Sequence, residues 1–397
     1  MDETELESRP AGAAPANPQL MRAMNERLLL EHVRQSGPIS RADLARLSGL
    51  SKPTVGVALA NLERDGLLRP AGLRRGVRGP AALLYEVRPE AGFILGLDLG
   101  RGHLRGAVSD LSGTVLARSS RPFRPEDGHL DVAISLADEL AVAAGIERSQ
   151  LNQVVVATPG VYDPTSRLIQ LAPDFPGSDS PGLIEGLRHS LGPSTSIEND
   201  LDLAALAERD FGHGQEFKTF CYVWVDDSVG MGLVINGELH RGAHGAAGEI
   251  AYLPIVSPRP QDGEQAEARG HLEAAASAAA VLRSARQSGL GGPLSVRRIF
   301  ASAAAGDDTA KAVVAEEAML VARAIGSIVT VVDPELVVLG GDIGRADGFP
   351  EAVTAALASL VPVVPELRVS ALDEGAVVAG CLAAGKEMAW RRLLGDI

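Results

Sequence analysis

The chain has 397 residues, 46% of them hydrophobic, and a net charge of −14 at pH 7. This length is enough for two or three globular domains with a large core. The two cysteines exclude a disulfide framework and fit a reducing cytoplasm. Charged side chains interrupt the longest apolar region, residues 312–332, which excludes a membrane span.

The charge is distributed unevenly along the chain. Residues 1–19 are acidic and rich in proline and alanine, and we expect a disordered tail there. Residues 20–88 contain twelve Lys and Arg against six Asp and Glu, whereas residues 89–397 carry −17. A basic segment joined to an acidic body indicates that nucleic acid binds the basic segment alone.

The pattern of residues 39–68 is typical of a helix-turn-helix. Ser40 and Ser51 are helix-capping residue types, and Pro53 suits the first turn of the second helix. Gly49 between the helices suits a turn that requires positive φ. The alternative is an ordinary α-hairpin. A preceding helix over residues 20–35 is predicted to pack on this pair through its apolar positions, which are Leu20, Met24, Leu28, Leu29 and Val33.

Two short predicted strands, residues 67–69 and 83–87, flank an arginine-rich loop and predict a winged helix-turn-helix over residues 20–88. Side chains at the start and on the exposed side of the second helix suit the major groove, and the loop arginines suit phosphates or a narrow minor groove. For the arginines, a solvated basic loop is the alternative. The predicted DNA contacts are Arg41, Ser51, Lys52, Thr54, Asn61, Arg74, Arg75 and Arg78.

The pattern becomes α/β from Phe93 onward. Strand meanders are predicted to begin at Phe93 and Phe220, and each is followed by alternating helices and strands. We therefore expect an internally duplicated body with lobes at residues 93–212 and 213–397 and a cleft between them.

Four polar segments could meet in that cleft: Asp98-Leu99-Gly100, Glu198-Asn199-Asp200, Glu249 and Glu273. Asn, Asp and Glu oxygens suit hydrogen bonds to several adjacent hydroxyl groups. The segments therefore favour a polyol-like ligand, although the first two can also be read as turn or helix caps.

The order of these motifs, together with Thr158-Pro159-Gly160, IENDLDLAALAE, NGELHRGAHGAAGEI and VVLGGDIG, resembles the ROK family (repressors, open reading frames and sugar kinases). The resemblance implies an actin/hexokinase-like (ribonuclease H-like) two-lobed fold behind a winged helix-turn-helix. It also implies sugar contacts from Asn199, Asp200, Glu249 and Glu273, and Asp200 is the base in the family's kinases.

Two departures from the family pattern set the subclass. The second phosphate loop, GTGIG-like in the kinases, reads Asp226-Asp227-Ser228-Val229-Gly230, and close carboxylates repel a triphosphate by about 1 kcal/mol or more each outside bulk water. We therefore expect no nucleotide, no other cofactor and no enzymatic activity.

The second departure concerns zinc. Tyr252 stands where the family has a histidine, and Glu264, Ala266 and His271 stand where it has cysteines, so no structural zinc is expected.

The sequence thus predicts a cytoplasmic DNA-binding transcriptional regulator, a repressor of carbohydrate-related genes. It is expected to bind double-stranded DNA as a homodimer or homotetramer, with a sugar or sugar derivative as effector. The alternatives are an active sugar kinase, with Asp200 catalytic, and a DNA-binding protein with a vestigial sugar pocket.

Overall fold

The computed structural model describes residues 18–74, 81–100, 102–124, 127–172, 175–179, 181–192, 194–255, 268–372 and 375–395. The chain divides into two compact units, Met1–Ala91 with Trp390–Ile397 and Gly92–Ala389. Within the described ranges, no helix has the length and apolar character needed to cross a membrane.

The smaller unit is a winged helix-turn-helix, as predicted. Ser40 and Ser51 cap its second and third helices, and Gly49 ends the second helix with a φ of 71°. Its elements are α1 (Pro18–Ser36), β1 (Ile39–Ser40), α2 (Arg41–Ser48), α3 (Lys52–Arg64), β2 (Leu68–Arg74) and β3 (Ala82–Val87), and the sheet order is β1-β3-β2. Its buried side chains include Leu29, Leu30, Val33, Leu44, Val55, Leu59, Leu62 and Leu68.

The predicted packing face of helix α1 is confirmed at Leu29 and Val33 and is wrong at Leu20, Met24 and Leu28. Leu29, Leu30 and Val33 are buried, whereas Leu20, Met24 and Leu28 are 58%, 55% and 40% exposed. Three consecutive leucines at positions 28–30 are compatible with two helix faces, and packing against α3 selects the one that contains Leu29 and Leu30.

The larger unit contains two five-stranded sheets with the same topology. In each, an antiparallel meander supplies three strands, and two further strands add in parallel beside the first strand of the meander. The sheet orders are β10-β7-β4-β5-β6 and β13-β12-β11-β14-β15. This equivalence confirms the predicted duplication.

The elements of the first half are β4 (Phe93–Leu99), β5 (His103–Asp110), β6 (Val115–Pro122), α4 (His129–Ala143), β7 (Leu151–Thr158), β8 (Val161–Asp163), β9 (Leu168–Gln170), α5 (Gly182–Leu191), β10 (Thr195–Asn199) and α6 (Asp200–Phe211). Those of the second half are β11 (Phe220–Val225), β12 (Val229–Ile235), β13 (Glu238–Leu239), α7 (His271–Ala276), α8 (Ala278–Gln287), α9 (Val296–Ala304), α10 (Asp308–Val332), β14 (Leu336–Gly340), α11 (Gly341–Gly344), α12 (Phe349–Leu357), β15 (Glu366–Val369) and α13 (Ala376–Leu394).

Helix α13 packs on the first sheet, although it lies in the segment that the sequence assigned to the second lobe. Cys381 and Ala384 share a core with Val155 of β7 and Leu203 of α6. Gly96 on β4 permits this approach, because an added Cβ there would lie 2.6 Å from Cys381 Cβ. The order of elements along the chain does not show that the last helix packs on the first sheet.

Strand direction brings the predicted polar segments together. Strands β4, β7 and β10 are parallel, so their carboxyl ends lie at one edge of the first sheet. Asp98, Gly160 and Asn199 lie at or just beyond these ends. Ligands bind at this edge in α/β folds, which is where the cleft is found.

Candidate functional site

The start of α3 has the geometry of a DNA-reading helix. The Thr54 amide donates to Ser51 Oγ at 3.2 Å, and the two hydroxyl groups lie 2.7 Å apart. Lys52, the first residue of the helix, is exposed. Hydroxyl groups and a cation at a helix start suit a phosphate oxygen.

Asn61 does not lie freely on the exposed side of α3, contrary to the sequence prediction. Its Nδ2 donates to Glu26 Oε1 of α1 at 2.6 Å, and the side chain is half-buried. Asn61 therefore fastens α3 to α1. Helical spacing predicted that Asn61 faces away from the core. The sequence did not show that the carboxylate of Glu26, on α1, lies opposite Asn61.

The predicted arginines lie on different elements. Arg41, exposed at the start of α2, extends to α3, where an added Gly56 Cβ would lie 3.0 Å from Arg41 Nη1. Arg74 of β2 pairs with Asp43 at 2.6 Å, and bonds from Ser40 and Arg74 lower the pKa of Asp43 to about 2. Arg75 and Arg78 lie outside the described residues.

The larger unit contains a cavity of about 450 Å³ between the carboxyl ends of its two sheets. It is lined by all four predicted effector-binding residues, Asn199, Asp200, Glu249 and Glu273, together with Asp98. The sequence therefore identified a set of side chains that the fold does bring together. Their hydroxyl-binding role stays a prediction.

Asn199 lines the cavity and also stabilises the surrounding backbone through hydrogen bonds of its side chain. Its Oδ1 accepts from the amides of Leu201 and Asp202 at 2.9 and 3.0 Å and so caps α6. Its Nδ2 donates to the Gly160 carbonyl at 3.0 Å. Asn199 thus holds the Pro-Gly loop against the start of α6.

Burial sets the acidity of the cleft carboxyl groups. Burial, and then the charge of Asp200, raises the pKa of Asp98 and of Glu249 to about 7. Arg105, 3.7 Å from Asp98, opposes the shift at Asp98. Near neutral pH these groups can therefore donate a hydrogen bond when protonated and accept when ionised, which suits hydroxyl groups.

Glu273 links the cleft to the second sheet. It is 7% exposed, and its Oε2 accepts from the Val229 amide at 3.2 Å. This bond fixes the start of β12, within the segment that corresponds to the second phosphate loop.

Three aspartates line the end of the cavity where that loop lies: Asp226, Asp227 and Asp342. Asp226 Oδ2 accepts from the Asp342 amide at 3.3 Å. Burial, with the charges of Asp227 and Asp342, raises the pKa of Asp226 to about 6, although the bond from the Asp342 amide opposes the shift. This end of the cavity is unfavourable for phosphate.

Sequence reasoning missed Asp342 and Arg105. Asp342 follows two glycines, and an added Gly341 Cβ would lie 2.3 Å from the Val225 carbonyl oxygen. That approach brings Asp342 beside the Asp226 loop. The Gly-Gly-Asp run after a buried strand was the available signal.

Of the residues that stand where the family has zinc ligands, the structure describes Tyr252 and His271. Tyr252 lines the cavity and donates its hydroxyl to the Ala268 carbonyl at 3.0 Å. His271 begins α7, whereas Glu264 and Ala266 lie outside the described residues. Within the described ranges, no three metal-binding side chains are grouped to hold an ion. The absence of zinc stays a prediction.

Comparisons with known proteins agree with this geometry. Residues 94–382 match the ROK family, and residues 25–69 match the winged helix-turn-helix DNA-binding family. A Bacillus subtilis xylose repressor is 24% identical over 242 residues, which span 60% of this chain but only 62% of that protein. A Caldicellulosiruptor bescii xylose repressor is 24% identical over 92% of this chain and 96% of its own. The Escherichia coli transcriptional dual regulator NagC is 27% identical over 85% of each chain.

Solved structures show the same architecture. A ROK family transcriptional regulator, described as a homolog of the E. coli MLC protein, superposes with a TM-score of 0.75 at 23% identity, over 94% of this chain and 98% of that one. A ROK hexokinase from Thermus thermophilus gives 0.64 at 28% identity, over 75% of this chain and 98% of that one. Since the ROK match alone covers well over half of its length, the chain belongs to the ROK family.

Proposed function

We propose that this ROK protein is a DNA-binding transcriptional regulator, a repressor of carbohydrate-related genes, that senses a sugar-like effector without phosphorylating it. The observation that carries the proposal is the combination of a capped, exposed α3 with a cleft whose phosphate end is lined by Asp226, Asp227 and Asp342. A sugar kinase does not need a DNA-reading helix. Aspartates at the phosphate end of its cleft would hinder it, because they repel the nucleotide.

The DNA-binding part of the proposal is supported by charge and by the relatives. The segment that contains α3 has six more basic than acidic side chains in a chain of net charge −14. Proteins similar over most of this chain are named as a xylose repressor and as a DNA-binding regulator. In this proposal Arg41, Ser51, Lys52, Thr54 and Arg74 contact DNA, joined by Arg75 and Arg78.

The effector part of the proposal is supported by the cleft. Asp200, Glu249 and Glu273 all line the cavity, where they can bind several hydroxyl groups at once. The regulator acts as a homodimer or homotetramer in the cytoplasm, because two reading helices are needed to engage a two-part operator. An effector that prefers one conformation shifts the DNA-binding population by its differential affinity.

The test is binding of the full chain to DNA fragments that cover the promoter of its own gene. We expect tight binding that weakens as salt rises, because Lys and Arg release counterions from phosphates. Replacement of Lys52 and Arg78 by alanine should weaken binding at every salt concentration, whereas Arg118→Ala, in the body, should not. Failure to bind any of these fragments at low salt would contradict the proposal.

One observation favours a second candidate, an active sugar kinase. Asp98 and Asp200 both line the cleft, and Asp200 matches the family's catalytic base. Incubation with ATP, magnesium and a panel of hexoses tests this function directly. Sugar phosphate that forms with the wild type and not with Asp200→Asn would establish the kinase.

A further inference from the structure

The outward face of α3 is apolar at its centre. The helix buries Val55, Leu59 and Leu62, so the positions at the opposite side are Pro53, Val57, Ala60 and Arg64, three or four residues apart. We call the first three of these, Pro53, Val57 and Ala60, the apolar strip.

Val57 is the prominent member of this strip. Its side chain is 58% exposed, whereas Val55, two residues earlier on the same helix, is fully buried. An exposed valine on a surface helix gains nothing for the fold, and its helix propensity is below that of alanine. On the third helix of a winged helix-turn-helix, this apolar side chain is accessible to a base in the major groove.

The neighbours of the strip leave its centre without polar groups. On one flank Asn61 is turned away, because its amide donates to Glu26. On the other flank Gly56 has no side chain, and the guanidinium group of Arg41 lies against it. The exposed polar side chains of α3 are thus confined to its start and to Glu63 and Arg64 at its end.

The base that fits such a surface is thymine. In the major groove each base pair presents a distinct pattern, and thymine alone presents a methyl group, which an apolar side chain that is long enough to reach it contacts. Arg41 beside the strip is placed to hold a neighbouring phosphate or guanine, which would fix the helix over the base.

We propose that α3 reads thymine in the operator through contact of Val57 with the C5 methyl group, which makes Val57 a specificity-determining residue. This inference rests on the proposed DNA-binding function. It adds the base that is read, the atom that is recognised and the side chain that recognises it.

The test begins with selection of bound sequences from random duplex DNA by the full chain. Each thymine of the enriched site is then replaced singly by deoxyuridine, which keeps the base pair and removes only the methyl group. We expect about a fourfold loss of affinity at the position under Val57, the factor that corresponds to one buried methyl group.

Variants separate this contact from other effects. Val57→Ala should bind the thymine and deoxyuridine duplexes equally, whereas Val331→Ala, at a valine 85% exposed on α10, should keep the fourfold difference. Both substitutions are on helix surfaces, so thermal unfolding should change little.

The outcomes are distinct. If the chain binds an enriched sequence but no thymine position responds to loss of its methyl group, the inference is wrong and the DNA-binding function stands. The inference is also wrong if Val57→Ala keeps the full response to deoxyuridine. If no sequence is enriched and no salt-dependent binding is seen, the DNA-binding function itself fails.

Discussion

At the scale of single residues, burial decides how several carboxyl groups behave. Glu317, in the middle of α10, is 3% exposed, and its Oε1 has no hydrogen-bond partner within the described part of the chain. Burial, and then the adjacent charge of Glu316, raises the pKa of Glu317 well above its usual value. Glu317 therefore keeps its proton to a higher pH in the folded chain than in the unfolded chain.

This state makes stability depend on pH. Between the unfolded and folded pKa values, the folded chain holds a proton that the unfolded chain has released, so stability falls as pH rises. Glu317→Gln cannot titrate. We expect the free energy of unfolding of the wild type, relative to Glu317→Gln, to fall between pH 5 and pH 8 by up to about 1 kcal/mol per pH unit.

Urea denaturation at several pH values measures this difference. The control is Glu316→Gln, since Glu316 is the exposed neighbour that accepts from Ser284 at 2.8 Å. This variant should keep most of the wild-type pH dependence. A constant difference between the wild type and Glu317→Gln from pH 5 to pH 8 would show that Glu317 is ionised when folded.

At the scale of elements, close packing against two glycines fixes the position of α6 and of the polar groups at its start. An added Cβ at Gly232 of β12 would lie 2.3 Å from the Leu201 carbonyl oxygen. At Gly380 of α13, an added Cβ would lie 1.9 Å from the Leu203 carbonyl oxygen. Helix α6 is thus packed between backbones on two sides, which fixes the position of Asp200.

Gly232→Ala should displace the first turn of α6. We expect a loss of about 1–3 kcal/mol in the free energy of unfolding, because backbone cannot move away as a side chain can. The loss of protection should be largest at the Asp202 amide, which hydrogen exchange reports. Gly291→Ala is the matched control, since an added Cβ there meets nothing within 4 Å. Equal effects of the two substitutions would refute this packing argument.

The same scale shows what sequence patterns can and cannot predict. Caps and periodicity predicted α3 and α10, because the deciding interactions lie within a few residues, as between Ser51 and the Thr54 amide. Exposure of Asn61 was predicted wrongly, because its partner Glu26 lies 35 residues earlier. Long-range pairs of this kind leave no periodic signal.

At the scale of the whole molecule, the duplicated topology predicts that the ends of equivalent strands face one cleft, which the sequence could anticipate. The contribution of Asp342 to that cleft depends on a backbone approach at Gly341 that only the fold reveals. The outcome is a cavity lined both by the predicted hydroxyl-binding residues and by three further aspartates, Asp226, Asp227 and Asp342.

This charge distribution predicts which ligands are excluded. We expect a sugar that binds the cleft to lose about tenfold or more in affinity when it carries a phosphate directed at Asp226 and Asp227. The double variant Asp226→Asn, Asp227→Asn should reduce this discrimination and leave the affinity for the neutral sugar unchanged. Calorimetric titrations with sugar and sugar phosphate pairs provide the test. Equal affinities for both members of a pair in the wild type would contradict it.

The central claim is that one chain reads DNA with α3 and that a sugar in the cleft alters this reading without being phosphorylated. The most direct measurement is the DNA affinity of the full chain with and without a saturating sugar, followed by fluorescence anisotropy. We predict a change of several-fold in Kd that Glu249→Gln abolishes. An identical Kd at every sugar concentration, for a sugar that calorimetry shows to be bound, would contradict the account.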